Sequence, residues 1–126
     1  NMPIIEPDLS QVGPIKPGTY NARCVSANPK KSKEKGTPMV ELTSAIEVDG
    51  DEREKMDWLI ISGKAAFKFE QFLRAVGMDG DANRLMNGEK VQIDTDVFIG
   101  ATYSVVVEAD TYNDAPTDRI ASYLKR

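Results

Sequence analysis

The chain has 126 residues, 40% hydrophobic and 29% charged, with a net charge of −4, the profile of one folded domain rather than of a disordered or fibrous chain. It contains no histidine and one cysteine, Cys24, which excludes imidazole-based catalysis, an internal disulfide and a Cys-rich zinc site. No apolar run approaches the ~20 residues of a membrane-spanning helix, and the N-terminus lacks the basic start and apolar core of a secretory signal, so a cytoplasmic protein without a membrane partner is the expectation.

Asn1 ahead of Met2 reads as the remnant of an expression tag. Residues 1–17 carry Pro3, Pro7, Pro14 and Pro17, a density that forbids a helix and predicts an extended arm or a wrapped lead-in before a single domain over 18–126. Alternation of Tyr20, Ala22 and Cys24 with polar neighbours predicts a first strand over 18–27. Residues 28–38, NPKKSKEKGTP, read as a loop because of Pro29, Gly36 and Pro38. The clearest alternation follows at 39–48, where Val40, Leu42, Ile46 and Val48 share one face. Asp49-Gly50 is a turn dipeptide, and a third strand is expected over 53–61.

A helix is predicted over 64–76 from the stripe Ala65, Phe69, Phe72, Leu73 and Val76, with Ser62 as its cap and Gly77 as its stop. Residues 78–90 are polar, with room for one helical turn at 82–86. A short segment at 91–93 precedes a fourth strand at 102–111, a turn-rich loop at 112–116 and a fifth strand at 118–124. Three strands, a helix and two strands is the element order of an OB-fold, a five-stranded Greek-key barrel. A generic α+β sandwich with the same elements in another topology is the alternative.

Charge is unevenly spread. Lys30, Lys31, Lys33 and Lys35 stand against Glu34 alone in the first loop, while five acids fall between Asp49 and Asp57. On an OB-fold the loops between strands one and two and between strands four and five flank the oligonucleotide-binding face of strands two and three. Four amines on such a loop suit a phosphate backbone; they also suit a merely solvated loop. Aromatic faces would hold the bases. Tyr112, in the loop between strands four and five, is one candidate. Trp58 is the other, although Leu59, Ile60 and Ile61 suggest a strand end buried on both faces, which would put Trp58 in the core. Arg23 and Arg119 could add phosphate contacts or serve in surface ion pairs. Tyr20, Tyr103 and Tyr123 read as barrel-wall residues, and Phe67, Phe69 and Phe72 as the helix face that plugs the barrel.

Other chemistry is weakly supported. Asp79-Gly80-Asp81-Ala82-Asn83 begins like a calcium loop but has Arg84 and Lys90 where Gly and Glu are required. Asp49, Asp51 and Asp57 could be imagined around a divalent metal, without a spacing that demands it. Cys24 lies on an alternating strand and reads as a small core residue. No phosphate-cradling Gly loop or nucleophile elbow is present, so neither an enzyme nor a cofactor is expected.

The pattern Gly18-x-Tyr20, a Lys/Ser/Gly loop, the helix motif Phe69-x-x-Phe72-Leu73-x-Ala75-x-Gly77 and the closing Arg119-Ile120-x-x-Tyr123-Leu124 resembles phage-encoded OB-fold single-stranded DNA-binding proteins, a conserved phage family long without a known function. The resemblance runs from Gly18 to Leu124. It implies sequence-tolerant binding of single-stranded DNA in phage or prophage replication and recombination, inside the bacterial host, with replication or recombination proteins as further partners. Separately, the Pro-rich arm could pair with a neighbouring subunit, which keeps a homodimer as an option. There are two departures. The sequence ends in Lys125-Arg126 where such proteins often carry an acidic tail, and Asn113-Asp114 stands where a basic or Gly-rich segment is usual. The alternative is a non-catalytic protein-interaction module of a phage on the same fold.

Overall fold

Alternating burial fixes the sheet. In the computed structural model, which describes residues 2–8 and 12–126, five strands form one antiparallel sheet: β1 (Gly18–Lys31), β2 (Pro38–Val48), β3 (Asp51–Ile60), β4 (Thr102–Tyr112) and β5 (Ala115–Leu124), in the order β3-β2-β1-β4-β5. Val40, Leu42, Ile46 and Val48 of β2 point inward, as their spacing requires, and Leu59 of β3 joins them. Two tight turns have the backbone that their residues tolerate. Asp49 and Gly50 join β2 to β3 with φ of 51° and 86°, and Asn113 and Asp114 join β4 to β5 with φ of 50° and 62°, the left-handed pairs of a twisted hairpin.

The first strand is longer than expected. Pro29, Lys30 and Lys31 pair with Val40, Met39 and Pro38, so two of the four loop lysines lie on β1 and only residues 32–37 form the loop. The strand bulges between Cys24 and Ser26. There the 100–101 segment docks, with Cys24 N–H donating to Ala101 O and Gly100 N–H to Cys24 O, both at 2.9 Å. Such a bulge bends its strand, which lets β1 serve β2 with one half and β4 with the other.

The inner face is covered by α1 (Phe67–Ala75), preceded by a 3₁₀ turn at Lys64–Ala66. Gly63, not Ser62, holds the cap position of that turn, and no side chain caps it. Ala65 and Phe67 are exposed; the buried stripe is Phe69, Phe72, Leu73 and Ala75. Gly77, with φ 85°, ends the helix in a left-handed turn in which Met78 N–H reaches Leu73 O and Gly77 N–H reaches Arg74 O. A second helix, α2 (Asp79–Met86), replaces both the suspected calcium loop and the single turn. Its Asp79 pairs with Lys125 and Arg74. Residues 91–93 form no strand. The connection instead makes a 3₁₀ turn at Thr95–Phe98, capped by Asp94, and drops Phe98 into the core. Phe72 lies edge-on to Phe98, Tyr103 and Tyr123 with centroids 5.1 to 5.2 Å away.

The sheet does not close into a barrel. Its two edge strands, β3 and β5, are joined by side chains instead of a ladder. Tyr123 Oη donates to Asp57 Oδ2 at 2.8 Å, Lys68 of α1 pairs with the same carboxylate at 2.9 Å, and Lys55 pairs with Asp118 at 2.7 Å. Three backbone groups of β5 are engaged by side chains from β3 and α1. Gln71 accepts from Tyr123 N–H, Lys68 donates to Ile120 O and Lys55 to Asp118 O, leaving less of the edge for strand pairing. The lead-in plugs one end of the seam. Arg53 donates to Gly13 O, Ile15 N–H donates to Asp118 Oδ2 at 2.7 Å, and Ile15 is buried. Before it, residues 2–8 form neither helix nor strand, with Met2, Ile4 and Ile5 exposed. Asn1 and the middle of the arm, residues 9–11, lie outside the described residues. Among the described residues, every buried side-chain nitrogen or oxygen has a partner, and no helix is long and apolar enough to cross a membrane.

Candidate nucleic-acid interface

Residues paired across an antiparallel ladder share a face, so the registers of β1, β2 and β3 give the outer surface row by row. Lys30, Met39 and Ile60 form the first row, next to the 32–37 loop. Asn28, Glu41 and Trp58 form the second, Ser26, Thr43 and Met56 the third, and Arg23, Glu54 and, buried between them, Ala45 the fourth. Successive rows are about 7 Å apart along the strands and neighbouring strands about 4.8 Å apart.

Trp58 belongs to this surface and not to the core. Its side of β3 carries Met56 and Ile60, whereas Asp57 and Leu59 face inward. Trp58 is 52% exposed and Met56 41%. The run Trp58-Leu59-Ile60-Ile61 suggested burial on both faces, but α1 covers only the inner one. The indole N–H donates to Glu41 Oε2 at 3.2 Å, which ties the ring to β2 without burying it.

The lysines converge on the same end. Lys30 sits in the row beside Trp58, Lys31 follows it on β1, and Lys33 and Lys35 rise from the loop. All four are exposed, and none pairs with an acid among the described residues. Between the strand ends, Pro29, Lys30, Lys31, Pro38, Met39 and Ile61 line an open, mainly apolar cleft with amines on its rim. A surface with a half-exposed indole, two thioether side chains and unpaired amines can stack planar rings and neutralise anions at once.

The other end of the face is acidic. Glu47 and Glu52 lie directly opposite one another, a repulsive arrangement, and each is matched by an arginine. Arg23 reaches Glu52 at 3.0 Å and Arg126 reaches Glu47 at 3.7 Å. Arg23 is therefore committed to an ion pair. So is Arg119, which lies across from Glu108 on the β4–β5 hairpin at 2.6 Å. Tyr112 is the last residue of β4 rather than a loop residue. It is 72% exposed, but its neighbours at the turn are Asp110 and Asp114. The Lys55–Asp118 pair places the start of β5 beside β3, which begins at Asp51, so Tyr112 flanks the acidic end. The structure thus brings Lys30, Lys31, Lys33, Lys35 and Trp58 together and leaves Arg23, Arg119 and Tyr112 apart from them. Asn28, Met39, Glu41, Met56 and Ile60 are not among the site candidates that the sequence offers, although Glu41 falls on the outward side of the second strand's alternation. Their signal was the outward half of the alternation, which only the register turns into a surface.

The imagined metal site does not assemble. Asp57 points inward to Tyr123 and Lys68, while Asp49 and Asp51 stay at the β2–β3 turn. Among the described residues, no three metal-ligating side chains gather. Burial pushes the Cys24 thiol up to about 11, far from a reactive thiolate. Burial also raises the hydroxyls of Tyr103, which shares a hydrogen bond with Ser44, and of Tyr123, where the Asp57 carboxylate adds to the effect. For Asp118, burial works against the charge. The Lys55 hydrogen bond, the Ile15 amide and the charges of Lys55 and Arg53 outweigh it and hold the carboxyl below the usual range.

No family model matches the chain, and no curated protein sequence matches it.

Proposed function

We propose that the protein is a sequence-tolerant single-stranded DNA-binding protein that uses the outer face of β2 and β3 and the Lys-rich loop. The observation that carries this reading is the position of Trp58, half exposed, one row from Lys30 and the three lysines that follow it. A five-stranded sheet that stays partly open, with a helix between the third and fourth strands, agrees with an OB-fold, in which this face and this loop bind oligonucleotides. Bases stack on Trp58 and the adjacent thioethers, and amines follow the backbone. The reading includes no catalytic step and no cofactor. The resemblance to phage proteins adds the setting, replication or recombination of phage or prophage DNA in the bacterial cytoplasm, where replication or recombination proteins are further partners.

The test is fluorescence anisotropy of a labelled oligo-dT with the wild-type protein and Trp58→Ala. Loss of one stacking platform weakens binding by about 1–3 kcal/mol. Equal affinity of the two proteins would remove Trp58 from the site and this reading with it.

A protein-interaction module is the second reading, favoured by a separate feature. Phe67 (69% exposed) and Met86 (65%) border a largely apolar cleft with Ile61, Phe69 and Leu85, between the end of β3 and the two helices. That reading expects a protein complex that oligonucleotide does not disturb.

A further inference from the structure

Glu41 is anomalous on a face meant for a polyanion. It sits between Trp58 on one side and Asn28 on the other, in the row where a base would stack. Unlike Glu47 and Glu52, it pairs with no cation among the described residues. Lys30, its diagonal neighbour on β1, does not bond to it either. Its carboxylate is instead held by the indole N–H of Trp58. That bond occupies one of about four acceptor positions on an ionised carboxyl, and the rest remain for a ligand.

A carboxylate left unpaired beside a stacking platform is costly for phosphate and useful for a base edge that donates hydrogen bonds. A base stacked on Trp58 with its edge over β2 would meet Glu41 first and Asn28 beyond it. Guanine presents, in order along its edge, the two donors N2–H and N1–H and then the O6 acceptor. Two carboxylate oxygens followed by an amide NH₂ is the complementary order. Cytosine and adenine offer one exocyclic amine next to an acceptor. Thymine offers N3–H between two carbonyls, which a carboxylate repels.

Resting on the DNA-binding reading above, we infer that Glu41, with Asn28, makes the Trp58 row a base-selective position within an otherwise tolerant face, favouring guanine and disfavouring thymine. Trp58 supplies stacking to any base. Glu41 sets which base occupies the row and, through its hydrogen bond, orients the indole.

The experiment is competition at fixed salt among oligo-dT, alternating TG, alternating TA and alternating T-inosine oligonucleotides of equal length, with wild-type protein and Glu41→Gln. Wild type prefers TG over oligo-dT by about tenfold, within the discrimination that a bidentate pair supplies. Inosine, lacking the N2 amine, falls between TG and oligo-dT. In Glu41→Gln the TG preference collapses, while affinity for oligo-dT rises because a negative charge has left the face. Equal wild-type binding of TG and oligo-dT overturns the inference and leaves the DNA-binding reading standing. Persistence of the preference in Glu41→Gln overturns the role of Glu41. Failure to bind any of the oligonucleotides overturns both.

Discussion

Replacing Lys33 and Lys35 together by alanine perturbs the proposed site without touching the core, since both side chains lie in the exposed 32–37 loop. The expected size follows from which cations are free. Lys30, Lys31, Lys33 and Lys35 pair with no acid among the described residues, whereas Arg23 and Arg119 are held by Glu52 and Glu108. Of these six candidate cations, only the four lysines can neutralise phosphates without first breaking an ion pair among the described residues. At about 0.7 per contact on a single strand, they give a slope of log K against log salt of about −2.8 for the wild type and about −1.4 for the double variant. Raising salt from about 50 to about 200 mM then weakens wild-type binding of oligo-dT by about fiftyfold and variant binding by only about sevenfold. Anisotropy titrations at four or five salt concentrations read both slopes directly. Arg119→Gln is the control, because its charge is already matched, and its slope should equal that of the wild type. A double variant with the wild-type slope would show that the loop does not meet the phosphates and would refute the electrostatic half of the account.

Other predictions concern the seam and the core. Tyr123→Phe removes the hydrogen bond to Asp57 across the open edge of the sheet. Because Lys68 still holds that carboxylate, the cost should be about 1.5 kcal/mol, the low end for bonds to charged groups, measured by urea denaturation; an unchanged midpoint would mean that the bond contributes nothing to joining β3 and β5. Cys24, buried and with its thiol pKa pushed up to about 11, should resist an aromatic disulfide reagent at mildly alkaline pH in the native protein and react fully in denaturant. Asp118 titrates below its unfolded value, so the native state holds this proton less tightly than the unfolded one; its stabilising contribution is present above about pH 4 and disappears as pH falls through the native pKa. Tyr103 and Tyr123 behave in the opposite sense. Their raised hydroxyls keep protons that the unfolded chain releases above about pH 10, so stability declines as pH climbs beyond that value. Thermal melts across both ranges, with Asp118→Asn flattening only the acid limb, check the two signs.

What could be read from the chain depended on how local each cause was. Strand β2 was legible because Val40, Leu42, Ile46 and Val48 alternate strictly, and α1 because Phe69, Phe72 and Leu73 repeat at helical spacing. The end of β1 was not, since Pro29, Lys30 and Lys31 carry every local sign of a loop. They are extended because Val40, Met39 and Pro38 offer them partners. Phe98 was missed for a similar reason. The polar stretch around it has no period, and its burial is decided by Phe69 and Phe72, far away in sequence. The open seam depends on Asp57, Lys68, Tyr123, Lys55 and Asp118, residues brought together only by folding. At the candidate site, the sequence showed that lysines and a tryptophan existed. It did not show that they gather at one end of the sheet, because that is a property of register. Arg23 and Arg119 looked equally suited to phosphate until their carboxylate partners came into view.

The most direct test of the central claim is the intrinsic fluorescence of Trp58, the only tryptophan in the chain, during titration with oligo-dT at low salt, followed by addition of salt. Stacking of a base on the exposed indole predicts saturable quenching that salt reverses. Binding with no change in the emission of Trp58 would place the DNA elsewhere, and no binding at low salt would contradict the proposed function itself.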